Sequence, residues 1–397
     1  MARMMFMTTE EKGHVNPVLP VAMQLLDRGH HVGWRCLPHG PDRLVNMGID
    51  IEPSPPRDQS AKPPLATGGS ELAELVVDNQ RLLEWIRTLL IQQVPEQIEP
   101  TRQALRRWKP DVLVVDPMLY QGIIAAHLEG VRYACVSSSL NPVTPDDLDC
   151  RHTRNMQAIE EERRQLFARY EMSPQFKVAD CLSPELNIVF ADGDYIGDDV
   201  EIPPATHLVG PTQPVERGDE VSFPWSKLDG RPLVYASFGS QISHQPEYFE
   251  LIAAATQSLD VQLVISCGPL ADTSWAKSLP DHVIAVAYTP QRQLLDKVDV
   301  MITHGGANSV MEALVAGVPM MINPVCNDQP MQAFFARRRG VAIEADFESL
   351  SKDECGEQLR RLLAGDAPER LAVAEVSARY RQIDGARRAA ALIEELV

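Results

Sequence analysis

The sequence of 397 residues has no apolar run approaching the ~20 residues needed to span a membrane as a helix. It has no C-x-x-C pair either. Its seven cysteines are odd in number and widely spread, which argues against a disulfide framework or a zinc site and fits a reducing, cytoplasmic setting. The ten histidines are scattered without metal-ligand spacing, so no bound metal is expected. Positive charge is short: 37 Lys and Arg stand against 55 Asp and Glu, for a formal net charge of −18. The basic residues are dispersed, so neither nucleic acid nor an anionic membrane surface is expected as a partner. Met1–Met7 is apolar but too short for a signal peptide, and it reads as a first buried strand. The loop after it holds one glycine, Gly13, where nicotinamide and flavin enzymes need G-x-G-x-x-G; those cofactors are disfavoured.

What is present is alternation. Met4–Thr8, His31–Cys36, Val112–Val115, Ala134–Val136 and Leu186–Phe190 read as short buried strands separated by helical spacing, the pattern of a parallel sheet with crossover helices. Pro53–Ser70 reads as a loop, Glu71–Leu105 as mostly helical, and Ile159–Tyr170 as a charged helix. A polar, proline-rich stretch between Gly210 and Pro232 is the linker candidate. Beyond it a second series follows: Leu233–Phe238, Gln262–Ser266, Val283–Ala287, Val300–Thr303, Met320–Ile322 and Val341–Ile343. Two helical segments, Lys352–Leu363 and Ala367–Leu396, end the chain. The expected organisation is an N-terminal domain over 1–212, a linker over 213–231 and a C-terminal domain over 232–397. Both domains are α/β and doubly wound, facing each other across a cleft, with the last helix packed back on the N-terminal domain. In such sheets ligands bind at the carboxyl ends of strands.

The richest stretch follows the strand ending at Thr303. His304-Gly305-Gly306-Ala307-Asn308-Ser309 is a glycine turn opening a helix, and unpaired N–H groups with the helix dipole make such a start an anion site. The imidazole, amide, hydroxyl and downstream Glu312 suit a nucleotide diphosphate carrying a sugar. Gly239 and Ser240 follow the first strand of this half: either a phosphate contact or an ordinary turn. Tyr288 and Gln291 follow another, where an aromatic stacks on a base or simply packs. Gly317-Val318-Pro319 reads as a helix stop. Asp328 and Gln329 offer acceptors and donors to sugar hydroxyls, and Asp328 also reads as a helix N-cap.

In the first half, His14 stands just after the first strand, either as a packing or capping residue or as a general base. A base needs an orienting partner, and Asp116, closing Val112–Val115, is the candidate; Asp111 lies at the wrong end of that strand.

Together these residues resemble the UDP-glycosyltransferase family (family 1 glycosyltransferases, GT-B fold), in its bacterial macrolide, polyketide and flavonoid branch. The resemblance spans nearly the whole chain and is strongest over Tyr288–Gln329: aromatic-x-Pro-Gln, His-x-Gly-x-Asn-Ser-x-x-Glu, Gly-Val-Pro and Asp-Gln, in order. It implies that His304, Gly306, Asn308 and Ser309 bind the diphosphate with Ser240 nearby. Glu312 would hold ribose, Gln291 the nucleotide, and Asp328 and Gln329 the donor sugar. His14 would be the base and Asp116 its partner. Tyr288 stands where the family usually carries Trp, which leaves uracil and thymine both open.

The implied reaction is inverting, metal-independent transfer of a sugar, glucose first, from a UDP-sugar or TDP-sugar co-substrate, with no other cofactor, to a small hydrophobic acceptor. Leaving-group charge would be met by His304, Asn308, Ser309 and the helix start. Trp85, Met118, Leu119, Tyr120, Leu140 and Phe167 are the acceptor-facing candidates. The competing readings are a nucleotide-sugar epimerase on the same fold and a non-catalytic auxiliary partner of a transferase.

Overall fold

Val112–Val115 is four aliphatic residues in a row, all buried. A strand without polar alternation needs cover on both faces, and a parallel sheet flanked by helices provides it. The computed structural model describes residues 1–9, 11–36, 41–54, 78–212, 221–239 and 245–397. The chain divides into two compact units.

The first unit holds a seven-stranded parallel sheet. Its strands are β1 (Arg3–Met7), β2 (His31–Cys36), β3 (Asp50–Pro53), β4 (Val112–Val115), β5 (Arg132–Ser137), β8 (Asn187–Val189) and β9 (Thr206–Leu208), in the order β3-β2-β1-β4-β5-β8-β9. Between β5 and β8 the chain forms a small antiparallel hairpin of β6 (Phe176–Lys177) and β7 (Asp180–Cys181). The second unit holds a six-stranded parallel sheet of β10 (Leu233–Ser237), β11 (Gln262–Ser266), β12 (Val283–Val286), β13 (Val300–Thr303), β14 (Met320–Ile322) and β15 (Ala342–Glu344). Its order is β12-β11-β10-β13-β14-β15.

Several expectations need correction. β3, β9 and the β6–β7 hairpin carry no long apolar run: β3 is exposed or half-buried, and the hairpin strands have two residues each. Edge strands bury one face at most, so hydrophobicity does not announce them. The helical stretch expected through Leu105 is not continuous in its described part. Helix Asn79–Arg87 gives way to one π-helical turn at Thr88–Gln92, and helix Val94–Trp108 then begins with proline in its first turn. Proline lacks the N–H that would continue the preceding helix. Residues 55–77, and with them most of the expected loop and the helix start after Glu71, lie outside the described residues, as do 213–220 of the linker.

The expected single helix from Ala367 is two, Pro368–Tyr380 and Gly385–Glu394. Asp384 caps the second, its Oδ1 accepting from the Arg387 N–H at 2.9 Å. That last helix belongs to the first unit, against helix Lys12–Asp27. Ala386, Ala389, Ala390 and Ile393 join the core with Val18, Val21 and Ala22. Glu394 accepts from Arg28 at 2.6 Å and meets His30 Nε2 at 2.8 Å. Such partly exposed pairs contribute about 0–1 kcal/mol, whereas burying Ile393 alone contributes about 1.5–3 kcal/mol. Apolar packing therefore holds the helix, and the charges fix its register.

The close approach at Gly385 tests this docking. A Cβ there would press on the Gly210 carbonyl and lie 2.6 Å from the Pro211 oxygen, both backbone atoms that yield little. Gly385→Ala is expected to destabilise by about 1–3 kcal/mol, the cost of overpacking, and to expose the C-terminal helix to limited proteolysis. An unchanged melting temperature with an unchanged cleavage pattern contradicts this packing.

Candidate active site

Each sheet reverses its strand order once near the middle, between β1 and β4 in the first unit and between β10 and β13 in the second. Carboxyl ends of strands at such a reversal leave a crevice for ligands. The residues singled out by chemistry collect at these ends within each unit.

In the first unit, Asp116 follows β4 and is 3% exposed. Its backbone N–H donates to the Met7 carbonyl at 2.8 Å, continuing the β1–β4 ladder one residue further. Its Oδ1 accepts from the Met118 N–H at 3.0 Å, which fixes the plane of the carboxylate. Its Oδ2 lies 2.5 Å from His14 Nδ1. His14 sits in the first turn of helix Lys12–Asp27 and is about a quarter exposed. A carboxylate at Nδ1 holds the proton there and puts the ring's lone pair on Nε2, the tautomer of a general base. Asp111, at the other end of β4, accepts instead from the Arg3 N–H at 2.7 Å.

In the second unit, His304 follows β13. Its ring is pressed between two glycines: a Cβ on Gly239 would lie 2.8 Å from Nε2, and one on Gly306 would lie 2.6 Å from it. Gly239 and Gly305 also take φ +81 and +82, the left-handed region that favours glycine. Burial pushes the His304 imidazole down to about 4, with a backbone hydrogen bond at Ser237 opposing the shift. At neutral pH it is therefore an uncharged donor. Helix Ala307–Ala316 begins beside it with Gly306 as N-cap and no side-chain cap. Asn308 and Ser309 occupy its first turn, and Glu312 follows one turn later. Gly317 ends the helix at φ +81, as the glycine in Gly-Val-Pro implies. Ser240 lies outside the described residues.

The nucleotide candidates form one connected chain. Thr289 Oγ1 and Tyr235 Oη are 2.7 Å apart, Tyr235 donates to Gln291 Oε1 at 3.1 Å, and Gln291 Nε2 donates to Glu312 Oε2 at 2.8 Å. Ser309 Oγ accepts from the same amide nitrogen at 3.3 Å. Each bond fixes the next, so the amide of Gln291 has one orientation and Glu312 is held by it. Tyr288 is 52% exposed, an aromatic face open for stacking.

Two expectations change at Asp328 and Gln329. Asp328 is at the N-cap position of helix Gln329–Arg338, but no side-chain cap bond forms. Gln329 is buried, and its Oε1 accepts from the Val325 and Cys326 N–H groups at 2.8 and 2.9 Å. Its amide shapes the loop before the helix, a role that residue type does not reveal. Among the acceptor-facing candidates, Trp85 and Met118 are half-buried, while Leu119 and Leu140 are buried. Tyr120 and Phe167 are wholly buried and stack edge-on with each other and with Phe176. Those two belong to the core; aromatic clusters of this kind satisfy burial first.

Residues that pattern reading missed include Tyr235, Thr289 and Ser138. Ser138 Oγ lies 3.0 Å from His14 Nδ1. The serine run Ser137–Ser139 at the end of β5 is the sequence signal that points to it. Among the described residues, no three His, Cys, Asp or Glu are grouped to hold a metal ion.

A family model described as UDP-glucoronosyl and UDP-glucosyl transferase matches residues 226–372. The chain is 26% identical over 361 residues to an uncharacterised UDP-glucosyltransferase of Bacillus subtilis strain 168, covering 88% of this chain and 85% of that one. It is 26% identical over 401 residues to the oleandomycin glycosyltransferase of Streptomyces antibioticus, covering 96% and 88%. Among solved structures, the glycotransferase of kitacinnamycin superposes with a TM-score of 0.76 at 22% identity, covering 100% of this chain and 99% of that one.

The lowered pKa of His304 has a measurable consequence. On acidification the unfolded chain takes up this proton near its ordinary 6.5 while the folded chain waits until about 4. The contribution to stability is therefore full above pH ~6.5 and is lost progressively as pH falls toward 4. Imidazole NMR should give a midpoint near 4 for His304, and His304→Gln should lessen the acid-side loss of melting temperature. A midpoint at the ordinary value of 6.5 would contradict the desolvated, neutral ring.

Proposed function

We propose that the chain is a glycosyltransferase of the UDP-glucoronosyl and UDP-glucosyl transferase family that works by inversion without a metal ion; the family model over residues 226–372, relatives 26% identical over most of the chain and the GT-B fold of its structural neighbours support this. The donor in this reading is a UDP-sugar, glucose first, with a TDP-sugar as the alternative. The acceptor is a hydroxyl of a small hydrophobic natural product of polyketide, macrolide or flavonoid type. Relatives named for a UDP-glucosyl donor, for oleandomycin and for kitacinnamycin support these classes.

The observation that carries the reading is the 2.5 Å contact of His14 Nδ1 with the buried Asp116 carboxylate. His14 Nε2 takes the proton of the acceptor hydroxyl. The oxygen then bonds to the anomeric carbon from the face opposite the nucleotide. The bond from that carbon to the β-phosphate oxygen breaks, and its electron pair leaves with the nucleoside diphosphate. Asp116 stabilises the imidazolium so formed. On the second unit, the N–H groups opening helix Ala307–Ala316, the His304 ring, Asn308 and Ser309 stabilise the diphosphate charge as it develops. Glu312, oriented by Gln291, meets the ribose, and Tyr288 stacks on the base. Asp328 bonds the donor sugar, and Gln329 supports the loop that carries it.

Release of UDP or TDP, measured for each nucleotide sugar with and without phenolic and macrolide acceptors, tests the reaction. Acceptor-dependent release is expected; conversion of a nucleotide sugar without acceptor indicates an epimerase instead. His14→Ala should lose about 10²–10⁴-fold in turnover toward hydroxyl acceptors, the range of a general base. UDP affinity, measured by calorimetry, should barely change. Near-wild-type turnover in that variant removes His14 from the role of base.

A further inference from the structure

A second buried carboxyl stands behind the His14–Asp116 pair. Asp180, on β7 of the small hairpin, is 1% exposed. Its Oδ2 accepts from Ser137 Oγ at 2.6 Å, and its Oδ1 accepts from Asn141 Nδ2 at 2.6 Å. It thus grips both ends of the Ser137–Asn141 turn that leaves β5, and Ser138 within that turn lies 3.0 Å from His14 Nδ1. The turn is knitted further by the Ser139 N–H donating to Ser137 Oγ at 3.3 Å and the Asn141 N–H donating to Ser139 Oγ at 3.2 Å. The hairpin also holds the Asp116 side, since the Cys181 N–H donates to the Pro117 carbonyl at 3.1 Å. One short hairpin therefore braces both groups that touch His14 Nδ1.

We propose that Asp180 is a positioning residue for the base: it clamps the Ser137–Asn141 turn, seats Ser138 on His14, and adds negative charge that strengthens His14 as a proton acceptor. This rests on His14 acting as the base. Burial pushes the Asp180 carboxyl up to about 7, against the Ser137 and Asn141 hydrogen bonds that favour its ionised form. The Asp116 charge raises it further, and the His14 charge lowers it. Other titratable groups coupled to it are Tyr120, Cys135 and Cys181, whose own ionisation it opposes. The Arg163 cation acts on the same Tyr120 and Cys181. Coupling is reciprocal: an ionised Asp180 favours protonated His14 as much as protonated His14 favours ionised Asp180.

The test is Asp180→Asn, which keeps shape and removes charge. Turnover should fall on the order of tenfold, as expected from a small misplacement of the base. The acid limb of the kcat–pH profile should move to lower pH, and KM for the donor should not change. Adding Ser138→Ala to Asp180→Asn should cost no more than the larger single loss, because both act on one contact. Should Asp180→Asn fail to fold, Ser137→Ala removes one clamp bond and should move the limb in the same direction. An acid limb that stays in place overturns the proposal, as do losses that multiply in the double variant. A purely structural role would lower kcat and leave the limb where it is. If His14→Ala is inactive while the limb stays in place in the Asp180 variant, only this inference falls. If His14→Ala keeps its turnover, the base assignment falls with it.

Discussion

A dry, fixed carboxylate beside an imidazole is the constraint on which the chemistry proposed for the first unit depends. Histidine acts as a base only if one nitrogen holds the proton and the other the lone pair, and water at Asp116 would blur that choice. The β4 strand removes the water. Val112–Val115 is buried, and Asp116 emerges at its end tied to the Met7 carbonyl and the Met118 N–H. A hydrogen bond to a charged group of this kind contributes about 1.5–3 kcal/mol, against about 0–1 kcal/mol for an exposed pair such as Arg154–Asp149. The rigid bond therefore lies inside the site, and the surface pairs decide little.

The two units treat their histidines in opposite ways. His14 sits against the Asp116 carboxylate, which holds its Nδ1. His304 sits against the backbone of two glycines, with burial driving its proton off. In the proposed reaction the same side chain is thereby a proton acceptor in one place and a neutral hydrogen-bond donor in the other. Both arise at the carboxyl end of a strand flanking the point where strand order reverses. Parallel sheets concentrate function there because their faces are already occupied by helices.

Much of the site was legible in residue types. Strand-glycine-helix at Thr303–Ala307, the carboxylate ending β4 and the histidine after β1 each follow from a short local pattern. Less was legible where a residue has two plausible uses. Gln329 is an amide that suits a sugar hydroxyl or a loop N–H equally, and only the fold shows it bonded to Val325 and Cys326. Tyr120 and Phe167 suit a flat acceptor or a core, and their mutual packing decided for the core. Edge strands β3 and β9 escaped notice because partial burial leaves little hydrophobic signature.

The sequence by itself determined the central strands of the two parallel sheets, through runs of apolar residues that need cover on both faces, and it determined which residue types stand at the strand ends. Its local patterns act over a few residues, so they carry that much. Tertiary structure decided everything that joins distant positions. It set Asp116 and Ser138 on His14 from 102 and 124 residues away. It also brought Asp180 behind them and Glu394 back to Arg28 across 366 residues. Such pairings depend on which strands become neighbours, and strand order is set by the packing of the whole sheet rather than by any segment within it.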